Sequence, residues 1–410
     1  MYDKNGEGAQ TVKGALSWPF IRLYVLTLFY FSGNSILNVI IPLKGEALGA
    51  SNTTIGVIMG AYLLTTMMIR PWAGGLIQRY GPIRVLRIIL VVNGVALVMY
   101  GFTGLGGYFV ARVLQGVCTA FFSMALQLGI IDALPDKDRS QGISMYSLFS
   151  YIPGVIGPLL AIGMWQTGEM NVFAATMIGI AVLTGAIGYT ARMDKKIDEE
   201  AGESDQRNQG ATMLQSFCQL WQNPHLFKSS ALMLSASLIF GSVTTFVPLY
   251  AVQIENGSAA VYLMLQAAVV VAARLVLRKK IPSDGKWHSV FMTGTMLLLA
   301  AASLSVSLAT AAGAVLFYAG ALLMGVAQAI LYPTLTTYLS FVLPKETRNV
   351  LIGLFIAMAD LGVSLGGIVM GPVADLTSYS VMYMLCAILG AAMMLVAFDI
   401  RSLSTRSKTG

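Results

Sequence analysis

Apolar residues in this chain come in long runs separated by short polar intervals. The runs lie near 23–43, 54–77, 88–103, 107–131, 141–166 and 171–191, and again near 229–251, 257–277, 288–309, 312–341, 349–374 and 379–399. Most are close to or above the roughly 20 residues that a helix needs to cross a bilayer core. The pattern therefore predicts an all-α membrane protein with twelve transmembrane helices, and an even number of crossings puts both chain ends on one side. The polar interval divides it into an N-terminal six-helix half (1–191), a linker (192–228) and a C-terminal six-helix half with its tail (229–410). Within the linker, Met213, Leu214, Phe217, Leu220 and Trp221 are spaced as a short amphipathic helix over 212–222, suited to lie on the membrane surface.

Polar punctuation repeats between the halves. Pro42 and Pro248 stand 206 residues apart, Arg70 and Arg274 as well as Gly81 and Gly285 stand 204 apart, and Gly116, Pro135 and Arg139 precede Gly325, Pro344 and Arg348 by 209. Matches at a nearly constant offset in equivalent elements describe two parallel repeats, the arrangement of transporters that rock about a central site.

Composition agrees, at 56% hydrophobic and 11% charged with a mean hydropathy of +0.72, where a soluble domain is about a quarter charged. The net charge of +7 does not point to nucleic acid, because the basic residues are scattered over short loops. Of 26 Lys and Arg residues, 22 fall on one side of the predicted topology and one, Lys44, on the other. By the positive-inside rule both termini are cytoplasmic. The first 16 residues lack a signal peptide's apolar core, so the first span is expected to be retained. Three cysteines, Cys118, Cys218 and Cys386, indicate neither a disulfide framework nor a thiolate metal site. His225 and His288 are isolated, and no phosphate-binding loop is present. No metal, no cofactor and no enzymatic activity are expected, and a primary ATP-driven pump is disfavoured.

The informative residues are the polar ones inside spans. On the fourth, Arg112, Gln115, Thr119, Ser123 and Gln127 fall within roughly 60° of one line at 100° per residue, a stripe that should face a wet cavity. Arg112 is read as an anion-binding or proton-linked residue, the alternative being a hydrogen-bonding stripe between helices. Asp360, about twelve residues or roughly 18 Å into the eleventh span, must pair, bind a cation or be protonated. Asn34 with Asn38 and Gln328 with Tyr332 form i, i+4 polar pairs, and Tyr62, Tyr151, Phe246, Tyr250, Tyr262 and Gln266 are further candidates to line the cavity. Arg70 and Arg274 occupy matching places, read either as gating residues or as arginines snorkelling to water.

Two segments resemble signatures of the major facilitator superfamily. Gly74-Gly75-Leu76-Ile77-Gln78-Arg79-Tyr80-Gly81 is similar to that family's Gly-x-Leu-x-Asp-Arg-x-Gly loop, with Gln78 where Asp is usual, and Arg112-Val113-Leu114-Gln115-Gly116 resembles its Arg-x-x-Gln-Gly motif. The glycine turn would carry Arg79 and Gly81 as a cytoplasmic latch, the alternative being a short turn with positive-inside arginines. Pro153-Gly154-Val155-Ile156-Gly157-Pro158 resembles the fifth-span motif of the family's antiporters, which marks Gly157 and Pro158 as gating positions and leans towards export. The implied fold is the major facilitator fold.

Longer stretches narrow the resemblance. They include Ser17 to Tyr24, Tyr100 to Arg112, Leu128 to Pro135, Ala272 to Gly285, Tyr332 to Pro344 and Gly353 to Gly362. These segments look like the staphylopine exporter family, bacterial major facilitator proteins that export opine-type, nicotianamine-like metallophores. The resemblance implies a monomeric, multi-pass exporter in the bacterial cell membrane, working by proton antiport with rocker-switch access. Its implied substrate carries several carboxylates and amines. Arg112 would serve a carboxylate, Asp360 an amine or a proton, and Asn34, Asn38, Gln115, Gln127, Gln266, Gln328, Tyr250 and Tyr332 the remaining polar contacts. A multidrug–proton antiporter is the alternative.

Overall fold

Helices begin where the chain supplies caps. Ser51, Asn223, Ser258 and Ser378 each accept a hydrogen bond from a backbone N–H in the first turn of the helix that follows, satisfying donors that have no partner within the helix. The resulting architecture is seen in a computed structural model, which describes residues 14–191, 223–277, 282, 284–344 and 347–398. The expected surface helix at 212–222, Cys218 and both tails lie outside the described residues.

The first six spanning helices are α1 (Trp18–Ala47), α2 (Asn52–Tyr80), α3 (Pro82–Phe102), α4 (Leu105–Ala133), α5 (Asp136–Thr167) and α6 (Met170–Thr190). The second six are α7 (Pro224–Tyr250), α8 (Ala259–Val276), α9 (Ser289–Ser307), α10 (Ala314–Val342), α11 (Arg348–Leu376) and α12 (Tyr379–Ala397). All twelve are long and apolar enough to cross a membrane. Among the described residues a 3₁₀ turn (Ala251–Gln253) and a one-turn helix (Ala309–Ala312) also occur, and no strand does. Helix α7 starts five residues before the expected 229, because Asn223 caps it and Pro224 is pre-set for a first turn.

Short connections make successive helices antiparallel within each half, and the end of α11 meets the start of α2 through Asp375 and Asn52. Hence α1 starts and α12 ends at the same end of the bundle, here called the terminal face. The two halves pack alike. Pairs α1·α5, α2·α4, α3·α4 and α3·α6 in the first are answered by α7·α11, α8·α10, α9·α10 and α9·α12 in the second. The link between α2 and α3 is a single residue. Gly81 has φ +83° and its N–H closes on the Ile77 carbonyl at 2.8 Å, and its counterpart Gly285 has φ +72°. Both occupy backbone conformations that a Cβ disfavours.

The halves meet along two seams, α2 against α11 and α5 against α8, with α1 against α7 between them. The α2–α11 seam is backbone-close. A Cβ on Gly56 would strike the Gly367 carbonyl, and one on Gly60 would lie 2.7 Å from the Ser364 carbonyl. Small residues at this spacing let two membrane helices approach without intervening side chains.

Candidate functional site

Arg112 is wholly buried and tied to the first half. Its guanidinium donates to Asn34 Oδ1 at 2.6 Å and Asn38 Oδ1 at 2.9 Å on α1, reaches Met59 Sδ on α2 at 3.4 Å, and lies 5.3 Å from the centroid of the Tyr62 ring. Among the described residues no carboxylate stands within ion-pair distance of it, and its Nε has no partner. Neutral acceptors and a ring face therefore carry a desolvated cation whose insertion costs about 2.5–3.5 kcal/mol at mid-helix. The sequence stripe continues from it in the structure. Gln115 accepts from the Tyr100 hydroxyl at 2.7 Å, and Thr119 shares hydrogen bonds of 2.9 Å with the Tyr30 and Tyr62 hydroxyls. Beyond that point Ser123 bonds its own helix backbone and Gln127 is exposed.

Asn38 also faces a cavity of about 180 Å³ between the halves. The first half contributes Ser35 and Asn38 from α1 and Ser150, Tyr151, Gly154 and Pro158 from α5; the second contributes Thr244, Gln266 and Gln328 with apolar wall from Leu263, Ala267 and Val270. Gln266 donates to Gln328 Oε1 at 3.0 Å, joining α8 to α10. Because Arg112 occupies the Asn38 carbonyl oxygen, the amide nitrogen is the group that Asn38 has left to offer, and an adjacent cation polarises it further. Arg112 thus stands behind the cavity wall and acts on the cavity through an amide.

A second pair of charges lies on the α2–α11 seam. Arg70 Nη2 is 3.0 Å from Asp360 Oδ2, with side chains 20% and 15% exposed, so the ion pair joins the halves in a largely dehydrated place. Asp360 thus stands beside a cation, the arrangement that pairing, one of the three fates open to it, requires. Arg274, the counterpart of Arg70, reaches across the other seam in the same way. It donates to the Tyr151 hydroxyl at 2.8 Å and stands over that ring at 4.2 Å. Tyr151 and Asp360 are 209 residues apart, the offset that relates other points of the two halves. Each half therefore lends the other one arginine, received once by a carboxylate and once by a phenol.

The remaining candidates are dispersed. Tyr250 is buried among Phe317, Tyr379 and Tyr383 and bonds Ser380 and the Ser307 carbonyl, away from the cavity. Tyr332 packs against Phe355. Arg79 is exposed beside Tyr80. Gly157 lets α5 press against Ser35 of α1, whose hydroxyl donates to the Pro153 carbonyl at 2.8 Å, and Pro158 lines the cavity. Each histidine is used locally, His225 by the Tyr338 hydroxyl and His288 by Asp284, whose exposed carboxyl the contact holds below its ordinary range. No group of three or more His, Cys, Asp or Glu side chains placed to hold a metal occurs among the described residues.

Ser35, Ser150, Thr244 and Met59 carry no signal in the sequence that marks them for the site. Single hydroxyls in apolar runs bond their own helix so often that nothing local separates these from packing residues.

The family description Major Facilitator Superfamily matches residues 23–311 and 284–409. The staphylopine export protein of Staphylococcus aureus (strain Mu50) is 54% identical over 387 residues, spanning 94% of this chain and 97% of that protein. Multidrug resistance protein 2 of Bacillus subtilis (strain 168) is 24% identical over 140 residues, 34% of this chain and 35% of that protein. Among solved structures, a D-xylose–proton symporter aligns with a TM-score of 0.72 at 13% identity, covering 93% of this chain and 96% of the other. A bacterial homolog of the human lysosomal transporter Spinster aligns with a TM-score of 0.67 at 12% identity, covering 92% and 93%. At such identities the structural likeness concerns the fold.

Proposed function

Because this chain belongs to the Major Facilitator Superfamily, we propose that it exports an opine-type metallophore of the staphylopine class, by proton antiport and rocker-switch alternating access. The observation that carries the substrate is the 54% identity to a staphylopine export protein across nearly the whole of both chains. The terminal face is then cytoplasmic, since 22 of 26 basic residues belong to that side and one to the other. Substrate enters from the terminal face and leaves at the opposite one.

The cavity suits a ligand rich in carboxylates and amines. Asn38, polarised by Arg112, presents N–H donors to a carboxylate; the hydroxyls of Ser35, Ser150 and Thr244, whose protons go to backbone carbonyls, accept from an amine; the Gln266–Gln328 pair supplies a further acceptor. At about 180 Å³ the space is smaller than the roughly 300 Å³ of ordinary small-molecule sites. The halves must therefore part further at the terminal face to admit substrate.

Coupling is assigned to Asp360. A proton taken up from outside by this carboxylate, while the opposite face is open, cancels the charge that Arg70 faces, which loosens the part of the α2–α11 seam toward the terminal face and lets that face open. Loss of the proton to the cytoplasm restores the ion pair. The α5–α8 seam holds through a phenol, so a proton acts on one seam alone.

Mass spectrometry of the medium under metal limitation tests the substrate. A strain lacking the gene should retain metallophore inside and secrete little, and the gene restored on a plasmid should reverse both. Unchanged secretion in a strain with no redundant exporter, with broad drug resistance on overexpression, would replace this reading with the multidrug antiporter.

A further inference from the structure

Near the opposite face, the α2–α11 seam ends in a contact that the coupling scheme does not use. Asp375, one residue before the end of α11, extends its carboxylate to the other half. Oδ1 accepts from the backbone N–H of Asn52 at 2.8 Å, and Oδ2 accepts from the N–H of Thr53 at 2.8 Å and from its hydroxyl at 2.6 Å. Asn52 and Thr53 are the first two residues of α2, so their N–H groups have no acceptor within the helix. The helix's own cap, Ser51, reaches only the N–H of Thr54, at 3.2 Å. Tyr379, the first residue of α12, adds a hydrogen bond of 2.6 Å from its hydroxyl to Asn52 Oδ1. An anion from one half thus completes the cap of a helix in the other and faces the positive end of its dipole. Gly371 makes the approach possible, since a Cβ there would lie 2.6 Å from the Asn52 carbonyl.

The matching end of the other seam is built differently. Helix α8 is capped by its own Ser258, whose N–H donates to Tyr318 of the same half. Among the described residues the cap shared between halves therefore occurs on the α2–α11 seam and has no counterpart on α5–α8.

We propose that Asp375 is the latch of the opposite face, a helix cap that exists only while α2 and α11 are together there and that sets how readily the substrate exit opens. Asp375 is exposed and Asn52 and Thr53 are half-buried, so on opening both the freed N–H groups and the carboxylate pass to water. No polar group is stranded, and the latch can close again. The inference rests on the alternating-access reading but not on the identity of the cargo.

The test places spin labels at Leu48→Cys and Val252→Cys, exposed positions near the opposite face in different halves, in a Cys218→Ser chain whose other cysteines are buried. Distances are measured by double electron–electron resonance on the full chain with and without staphylopine. Asp375→Ala should raise the ratio of separated to closed distances about tenfold, the equivalent of one charge-assisted hydrogen bond. Asp375→Asn, which keeps size and one acceptor, should raise it by less. Thr53→Val should shift the ratio in the native background and leave it unmoved when Asp375 is already Ala. If staphylopine redistributes the distances but Asp375→Ala does not, the latch is wrong and alternating access stands. Distances that move in no variant and with no ligand would overturn both.

Discussion

At the residue scale the arrangement turns on a cation held without a counter-ion. Arg112 is fixed by two amide oxygens, a thioether and a ring face, and only the planar fork of a guanidinium reaches Asn34 and Asn38 together. Arg112→Lys keeps the charge but can orient one amide at a time. It should raise the KM for transport about tenfold, the cost of roughly one charge-assisted hydrogen bond, while the protein still reaches the membrane. Near-native KM in that variant would assign Arg112 to packing. Asp360→Asn removes the group proposed to exchange protons with Arg70 nearby. The variant should lose gradient-driven transport and keep exchange of labelled for unlabelled substrate, which needs no net proton movement. The alignment of Arg112, Gln115 and Thr119 was legible in the sequence because helical periodicity lines them up on one helix. They bond neighbouring helices, however, the alternative given for the stripe, and do not line the cavity they were expected to face. The Arg70–Asp360 pair was not legible, since which of twelve helices are neighbours is decided by packing and not by local spacing.

At the element scale, two seams do the work that loops and domains do in soluble proteins. The α2–α11 seam has three levels: the Asp375 cap, the Gly56–Gly367 approach and the Arg70–Asp360 ion pair. Their order along the helices lets the ends respond separately. Gly56→Val puts side-chain atoms where the Gly367 carbonyl lies, and overpacking of this kind costs about 1–3 kcal/mol. The variant should hold the opposite face apart and reduce turnover, measured as transport rate together with the spin-label distance described above. A closed distance distribution with full turnover would mean that the seam need not close. The Gly81 turn was visible from its motif, whereas the approach of Gly56 and Gly60 to Gly367 and Ser364 emerged only from the packing. Asp375 gave no signal, because an acid at the end of an apolar run reads as the start of a loop. Tyr151 was read as a cavity residue; its role as receiver of Arg274 became apparent only once α5 and α8 were seen side by side.

At the scale of the whole molecule the fold was nearly complete in the hydrophobic pattern. A bilayer requires each spanning segment to satisfy its own backbone, so runs of sufficient length fix element type and number together. The repeated offset fixed the relation of the halves, which the contact pairs then reproduced. Chemistry was less legible, because neutral side chains that line a cavity are the same types that bond their own helices. The reading proposed above has a proton gradient drive an opine-type metallophore through this chain. Purified protein in liposomes with an acidic interior, given labelled staphylopine outside, measures it directly. Accumulation against the substrate gradient is expected, collapsing with a protonophore and absent for Asp360→Asn. Uptake that only equilibrates, at the same level with and without the pH difference, would contradict it.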